Sequence, residues 1–371
     1  MKLNDFVIYD IEVYPNLFYV LFKRYDGAYR GFQVSRNVDQ RADLIRFVDF
    51  LTAKNKTLVG FNNVKYDSPM LLKMYEHIKS TEALEFCKIA KQHSDEIIVQ
   101  KRDVWQWQTL PELRDTVLNT WRQLDLRSII GGGKSVSLKK CAIGLRDTNL
   151  QELPYDPDEN LDDRQIQNVI KYCKHDVDVT ESLLKLIESK QHFKLRRSLA
   201  ELGYIKEKSL FTAYRKADSS IPDLIFKCEK SKPSDEFHTF KDMVNAKFIE
   251  NEQIKNHLLK IAEKKSEEIF NDEGSLIRIN DIQFRFKAGG LHSTTERYTL
   301  APDDEHFVIH ADVSSKYPTL LTKYNLLDDN VADDFNKILR DRLESKRKKE
   351  KKKDQALKLV LNSFSGKLKD D

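Results

Sequence analysis

Two carboxylates, Asp10 and Glu12, sit two positions apart in the stretch "FVIYDIEVYP", residues 6–15. On a strand such a pair shares one face, about 7 Å apart at the Cα level. Carboxylates that close repel one another and resist joint ionisation unless a cation lies between them. Ligands made only of oxygen suit a hard divalent ion, Mg2+ or Mn2+. Two other stretches carry related groups. "FNNVKYDSPM" supplies Asn62, Tyr66 and Asp67 where a strand turns into a helix. "YCKHDVDVT" supplies Tyr172 and Asp176, four residues apart and therefore on one helix face. Taken singly, each has a bland alternative. The D-x-E pair could be a solvent-facing strand edge, Asn62 to Asp67 a loop with a helix cap, and Tyr172 a core tyrosine.

The elements that must position these groups read as mixed α/β over the first 190 residues. Residues 6–13 alternate as a strand, and 17–24 with 29–34 form a hairpin around Asp26-Gly27. "TLVGF" (57–61) is a further strand, followed by the amphipathic helix "SPMLLKMYEHI". "LDLRSII" (124–130) runs into a "GGG" loop and then "SVSLKKCAIGL", a helix with a serine cap. Ile166, Val169, Ile170, Cys173, Val177, Leu184 and Ile187 recur at helical spacing and predict a long helix from about 162 to 189. Residues 191–281 turn helical and highly charged. A third segment, 282–371, opens with "IQFRFKAGGLHS", continues through a strand "HFVIHADV" (306–313), and ends in two basic helical stretches.

With 371 residues and 43.5 kDa the chain can build two or three units with cores of their own. It contains no apolar run of membrane-spanning length and no apolar signal-peptide core near its first residue. A cytoplasmic protein with no membrane partner is expected. The cysteines, Cys87, Cys141, Cys173 and Cys228, are far apart with no C-x-x-C pair, so they read as ordinary thiols of a reducing compartment. The formal net charge of +4 is unevenly spread, because Asp334 to Asp371 alone holds thirteen basic and seven acidic residues. That end could hold a polyanion.

In order, D-x-E on a first strand, N-x-x-x-Y-D at a strand-to-helix turn and Y-x-x-x-D on a late helix resemble the exonuclease domain of family B DNA polymerases. The compact start is similar to the phage-type members. The resemblance implies an α/β fold of three parts: an RNase H-like exonuclease domain (1–190), a helical connector (191–281), and an incomplete palm with short helical fingers (282–371). It implies a 3′–5′ proofreading exonuclease with two divalent ions, Mg2+ or Mn2+. Asp10, Glu12 and Asp176 would ligate the ions and Asp67 would complete the second site. Tyr172 would orient the attacking water, and Asn62 would contact DNA. Lys139 and Lys140 on the "SLKK" helix could touch phosphate.

If that is so, polymerase motifs should follow. "HADVSSKYPTLL" (310–321) resembles the first palm motif of the family, D-x-x-S-L-Y-P, with Lys316 in place of leucine. The implied roles are Asp312 as ligand of both polymerase metals and Tyr317 as the ring beneath the incoming sugar. "KLVLNSFSG" (358–366) resembles the fingers motif K-x-x-x-N-S-x-Y-G, with Ser365 in place of tyrosine. Lys358 would neutralise the triphosphate of the dNTP, with Asn362 one turn on. Arg342 and Lys346, also four apart, could add phosphate contacts, with Arg340 competing for the role. Gly289 and Gly290 would allow close approach to the template.

No second palm aspartate motif follows, and no thumb. One aspartate cannot hold two ions for nucleotidyl transfer, so the chain alone is not expected to polymerise. Mg2+ would enter the polymerase site only once a second polypeptide completed it, as in a split polymerase or after truncation. The partners implied are primer-template and single-stranded DNA, dNTP and that second chain, in the cytoplasm of a bacterial or phage-infected cell. Two other readings stand beside this one: a free-standing 3′–5′ DNA exonuclease with a vestigial palm, and a non-catalytic DNA-binding subunit.

Overall fold

The computed structural model describes residues 5–25, 27–77, 82–102, 120–131, 136–226, 250–261, 276–279, 282–287, 290–293, 301–305, 307–309, 313 and 315–367. Two compact units emerge, one of Met1–Cys228 with Tyr317–Asp370, the other of Glu229–Lys316 with Asp371.

The first unit is built on a mixed five-stranded sheet. Strands β1 (Phe6–Tyr14), β2 (Leu17–Arg24) and β3 (Tyr29–Ser35) form an antiparallel meander. Helix α1 (Arg41–Ala53) crosses to β4 (Thr57–Gly60), which pairs parallel to β1. Next come α2 (Asp67–His77) and α3 (Ala83–Arg102), then β5 (Arg122–Asp125), parallel to β4. The strand order is β3-β2-β1-β4-β5, with β1 in the middle.

Alternation along β1 feeds two cores. Val7, Tyr9, Ile11 and Val13 pack with Leu44, Met70, Met74 and Phe86 of α1, α2 and α3. Phe6, Ile8 and Tyr14 face the opposite core, which is closed by Ile166, Val169, Cys173, Val177 and Leu184. Those last residues belong to a 27-residue helix, the third of the next series: α4 (Leu126–Gly131), α5 (Leu138–Gly144) and α6 (Asp163–Ser189). The expected serine cap appears in atomic form, and a second cap not singled out by sequence accompanies it. Ser137 Oγ accepts from the Lys140 amide at 3.2 Å. Asp162 and Gln165 exchange side-chain and backbone bonds in a capping box that starts α6.

Short helices α7 (His192–Glu201), α8 (Leu210–Tyr214) and α9 (Pro222–Ile225) follow. In the second unit, α10 (Glu252–Ile261) precedes an antiparallel sheet of β6 (Leu276–Ile279), β7 (Ile282–Lys287) and β8 (Gly290–Ser293). The chain ends in α11 (Lys316–Lys323), α12 (Asp329–Arg347) and α13 (Lys351–Lys367).

Helices α12 and α13 share a core with the segment after α6: Leu199, Ile205, Ile221 and Phe226 pack on Phe335, Ile338, Leu357, Val360 and Phe364. Residues 192–226 and 317–367, assigned by sequence to separate domains, thus form one packed layer within the first unit. The strand expected over 306–313 is not found among the described residues of that stretch. Phe307 and Ile309 are 79% and 74% exposed, and no partner strand pairs with them. Apolar alternation alone does not make a strand without a ladder to join. No described helix is long and apolar enough to cross a membrane.

Candidate functional site

Asp10 and Glu12 interrupt the apolar run of β1 on the face that looks toward α6. Glu12 is only 9% exposed, and among the described residues it accepts no hydrogen bond and pairs with no cation. Its carboxyl is pushed well above the usual carboxylate range, first by burial and then by the charges of Asp176 and Asp67. Asp10 is pushed up in the same direction by burial, Asp67, Glu12 and Asp176. Four carboxylates from three elements, β1, α2 and α6, therefore act on one another through a desolvated space.

Each arrives there for a local reason. The ladder between β1 and β4 ends at Ile8 opposite Val59, which leaves later amides of β1 without that partner. Asp67, 4% exposed in the first turn of α2, accepts from the Ile11 amide at 3.1 Å. The site thus uses a backbone donor that the sheet does not. Asp176 lies on α6 one turn after Tyr172, whose hydroxyl is within hydrogen-bond reach of its carboxylate. Burial raises Asp176 as well, while the bonds from Tyr172 and His175 and the charge of Lys139 pull the other way. Burial likewise drives the Tyr172 hydroxyl up, and Asp176 and Glu12 add to it.

Several participants were not singled out by sequence. His175 Nε2 meets Asp147 Oδ2 at 2.9 Å and its Nδ1 lies 3.4 Å from Asp176 Oδ1, a bridge behind the Asp176 carboxylate. Cys173, one position from Tyr172, is fully buried, and its sulfur with one oxygen each of Asp10 and Glu12 forms a group of donors within 4.8 Å of one another. Asn62 adopts a left-handed backbone conformation, φ 66°. Its amide N–H donates to Asp125 Oδ1 at 2.9 Å, and its side-chain Oδ1 accepts from Arg127 Nη1 at 2.8 Å. Asp125, at the end of β5, also accepts from the Arg127 amide at 3.0 Å. An acid closing a strand just before a helix was the available signal for Asp125. Of the two lysines on α5, Lys139 is paired with Glu152 and contributes to the field at Asp176.

The donor set fits divalent cations. Buried acids that raise one another's proton affinity, with Glu12 lacking any polar partner, are relieved when positive charge enters between them. Asp10, Glu12, Asp67 and Asp176 could hold such ions.

The expected polymerase residues are more scattered. Asp312 and Gly289 lie outside the described residues. Tyr317, on α11, is 49% exposed. Lys358 and Asn362 are both exposed on α13, and Lys346 is exposed on α12. Arg342 differs from the expectation of an outward phosphate ligand. It is 7% exposed, and its Nε donates to Asp354 Oδ1 at 3.1 Å, tying α12 to α13. The hydrophobic stripe of α12 carries the residue inward, whereas Arg340 on the same helix is exposed.

No family model and no curated protein matches this chain. Among solved structures, the chain is similar to the family B DNA polymerase from the hyperthermophilic archaeon Pyrobaculum calidifontis, at 14% identity and a TM-score of 0.47. The alignment covers 97% of this chain and 46% of that one, so the chain spans less than half the polymerase's length.

Proposed function

We propose that the chain is a metal-dependent 3′–5′ DNA exonuclease of RNase H-like fold, joined to the first part of a family B DNA polymerase's palm and fingers. The observation that carries this reading is the convergence of Asp10, Glu12, Asp67 and Asp176 around the middle strand of the sheet. The strand order β3-β2-β1-β4-β5, with the D-x-E pair on β1 and the Y-x-x-x-D pair on the helix covering it, supports the same reading.

Asp10, Glu12, Asp67 and Asp176 would hold two Mg2+ or Mn2+ ions, which when bound lower the pKa of water and neutralise charge on a phosphodiester. The other residues prepare the substrate. The Tyr172 hydroxyl, which acts on the Asp176 carboxyl, would donate a hydrogen bond to it and keep lone pairs on its oxygen to accept from an attacking water. Asn62 has given its side-chain oxygen to Arg127, which leaves Nδ2 to donate to a DNA strand. His175, braced on Asp147, steadies the Asp176 carboxylate.

In the C-terminal part, Asp312 would be the metal ligand of the polymerase site, with Mg2+ once that site is complete. Tyr317 would lie under the sugar of a dNTP, and Lys358 and Asn362 would meet its phosphates, with Lys346. The remaining palm carboxylates and the thumb would come from outside these 371 residues, on further chain or a second polypeptide, and primer-template DNA would bind the completed protein.

The test is degradation of single-stranded DNA labelled at its 5′ end. Shortening from the 3′ end that needs Mg2+ or Mn2+, stops with chelator and disappears in Asp10→Ala is expected. Equal degradation by wild type and Asp10→Ala would overturn the assignment.

A further inference from the structure

We infer that the acidic site is also a trap for a thiophilic divalent ion of the Zn2+ or Cd2+ class, with Cys173 as the sulfur ligand beside Asp10 and Glu12. This rests on the acidic pocket of the proposed exonuclease but assigns a residue and an ion class that the hydrolytic reading does not use. Three observations combine. Cys173 Sγ and carboxylate oxygens of Asp10 and Glu12 lie within 4.8 Å of one another. Glu12, 9% exposed, has no hydrogen bond or ion pair among the described residues and turns toward that group. Cys173 is itself fully buried, with Asp10's main-chain oxygen 3.9 Å from its sulfur.

Zinc binds sulfur at about 2.3 Å and carboxylate oxygen at about 2.0–2.2 Å, so donors on one tetrahedral ion stand about 3.6 Å apart. From separations of up to 4.8 Å the three donors need to close by little more than about 1 Å, within reach of side-chain rotation. A thiolate with two carboxylates is a mixed soft and hard set. It favours zinc-like ions over Mg2+, which prefers oxygen and retains its waters. On binding, the thiol releases its proton to solvent as the metal–sulfur bond forms. The ion held this way occupies the carboxylates that Mg2+ would use, so the Zn2+ class competes with catalysis.

The experiment titrates the reduced, metal-free full chain with Cd2+ and follows the ultraviolet thiolate-to-metal charge-transfer band, with Mg2+-dependent nuclease activity measured in parallel. A saturable band at one Cd2+ per chain is expected, together with loss of affinity of about tenfold or more in Cys173→Ser. A chain in which only Cys173 remains of the four cysteines should keep the band, which covers the case that Cys173→Ser does not fold. Glu12→Gln, in which the sulfur is intact, should also weaken Cd2+. Absence of the band in wild type, or equal affinity in wild type and Cys173→Ser, would overturn the inference even with nuclease activity intact. A Cys173-dependent band without nuclease activity would instead sink the exonuclease assignment alone.

Discussion

Arg127 donates through Nη1 to Asn62 Oδ1 at 2.8 Å, which decides the orientation of an amide that otherwise could flip. Arg127 is therefore a positioning residue for the DNA contact proposed for Asn62. Arg127→Ala is expected to raise KM for single-stranded DNA several-fold with a smaller change in kcat. Asn62→Ala should do the same, and the double variant should add little to either. Steady-state kinetics on the three variants checks this, and additive losses would separate the two residues.

The same turn leaves no room for a side chain at Gly60. A Cβ there would stand 2.6 Å from Asn63 Cβ, next to the 0%-exposed Asn63 that donates to Gln123 Oε1 at 2.8 Å. Gly60→Ala should cost about 1–3 kcal/mol and weaken DNA binding through the displaced Asn62. Denaturant melts and a binding isotherm give the two readouts.

Burial and mutual repulsion of Asp10, Glu12 and Asp176 make the stability of the metal-free protein depend on pH. Their carboxyls are raised above ordinary values of 3.8 for aspartate and 4.5 for glutamate, with burial as the first cause. In metal-free protein the folded state then holds more protons than the unfolded chain above about pH 4, so stability falls as pH rises through that range. Asp10→Asn should stabilise metal-free protein at neutral pH, about 2–4 °C in Tm for each 1 kcal/mol recovered. Millimolar Mg2+ should raise the Tm of wild type more than that of the variant. Calorimetry with and without chelator measures both.

His192 titrates in the other direction. Its Nε2 donates to the Tyr214 carbonyl at 2.9 Å, and burial, with Arg196 second, pushes its pKa from 6.5 down to about 4. Between those values the unfolded chain binds the proton that the folded one refuses. Stability is whole above pH 6.5 and declines as pH falls toward 4. His192→Gln should flatten that part of a Tm-against-pH curve.

Phe335 is 0% exposed and meets Phe226 at 6.1 Å and Phe364 at 5.2 Å between ring centroids. Phe335→Ala should cost about 3–5 kcal/mol. Because that core holds residues of α7 as well, the loss should extend to the segment that follows α6, visible by hydrogen exchange at Leu199.

Local chemistry was legible in the sequence wherever one element carried the signal. The β1–β2–β3 meander follows from alternation and the Asp26-Gly27 turn, and α6 follows from apolar spacing. The acids were legible as a set because a strand and a helix each present them at fixed intervals. Long-range partners were not. Arg127 reaches Asn62 across 65 residues, and neither residue marks the other. Cys173 reads as one more apolar position on α6 until Asp10 and Glu12 stand opposite it. Arg342 looked like a phosphate ligand because a charge pattern does not reveal which helix face is covered. Phe307, Val308 and Ile309 belong to a stretch that alternates well enough for a strand, yet pairing depends on a neighbour that no local pattern specifies.

The ring-to-ring cluster of Phe226, Phe335 and Phe364 also governs how the protein would respond to a protease. A nick anywhere between residues 228 and 317 severs the backbone but leaves both halves of that greasy seam in register. The two pieces should elute together from a sizing column and part only in denaturant.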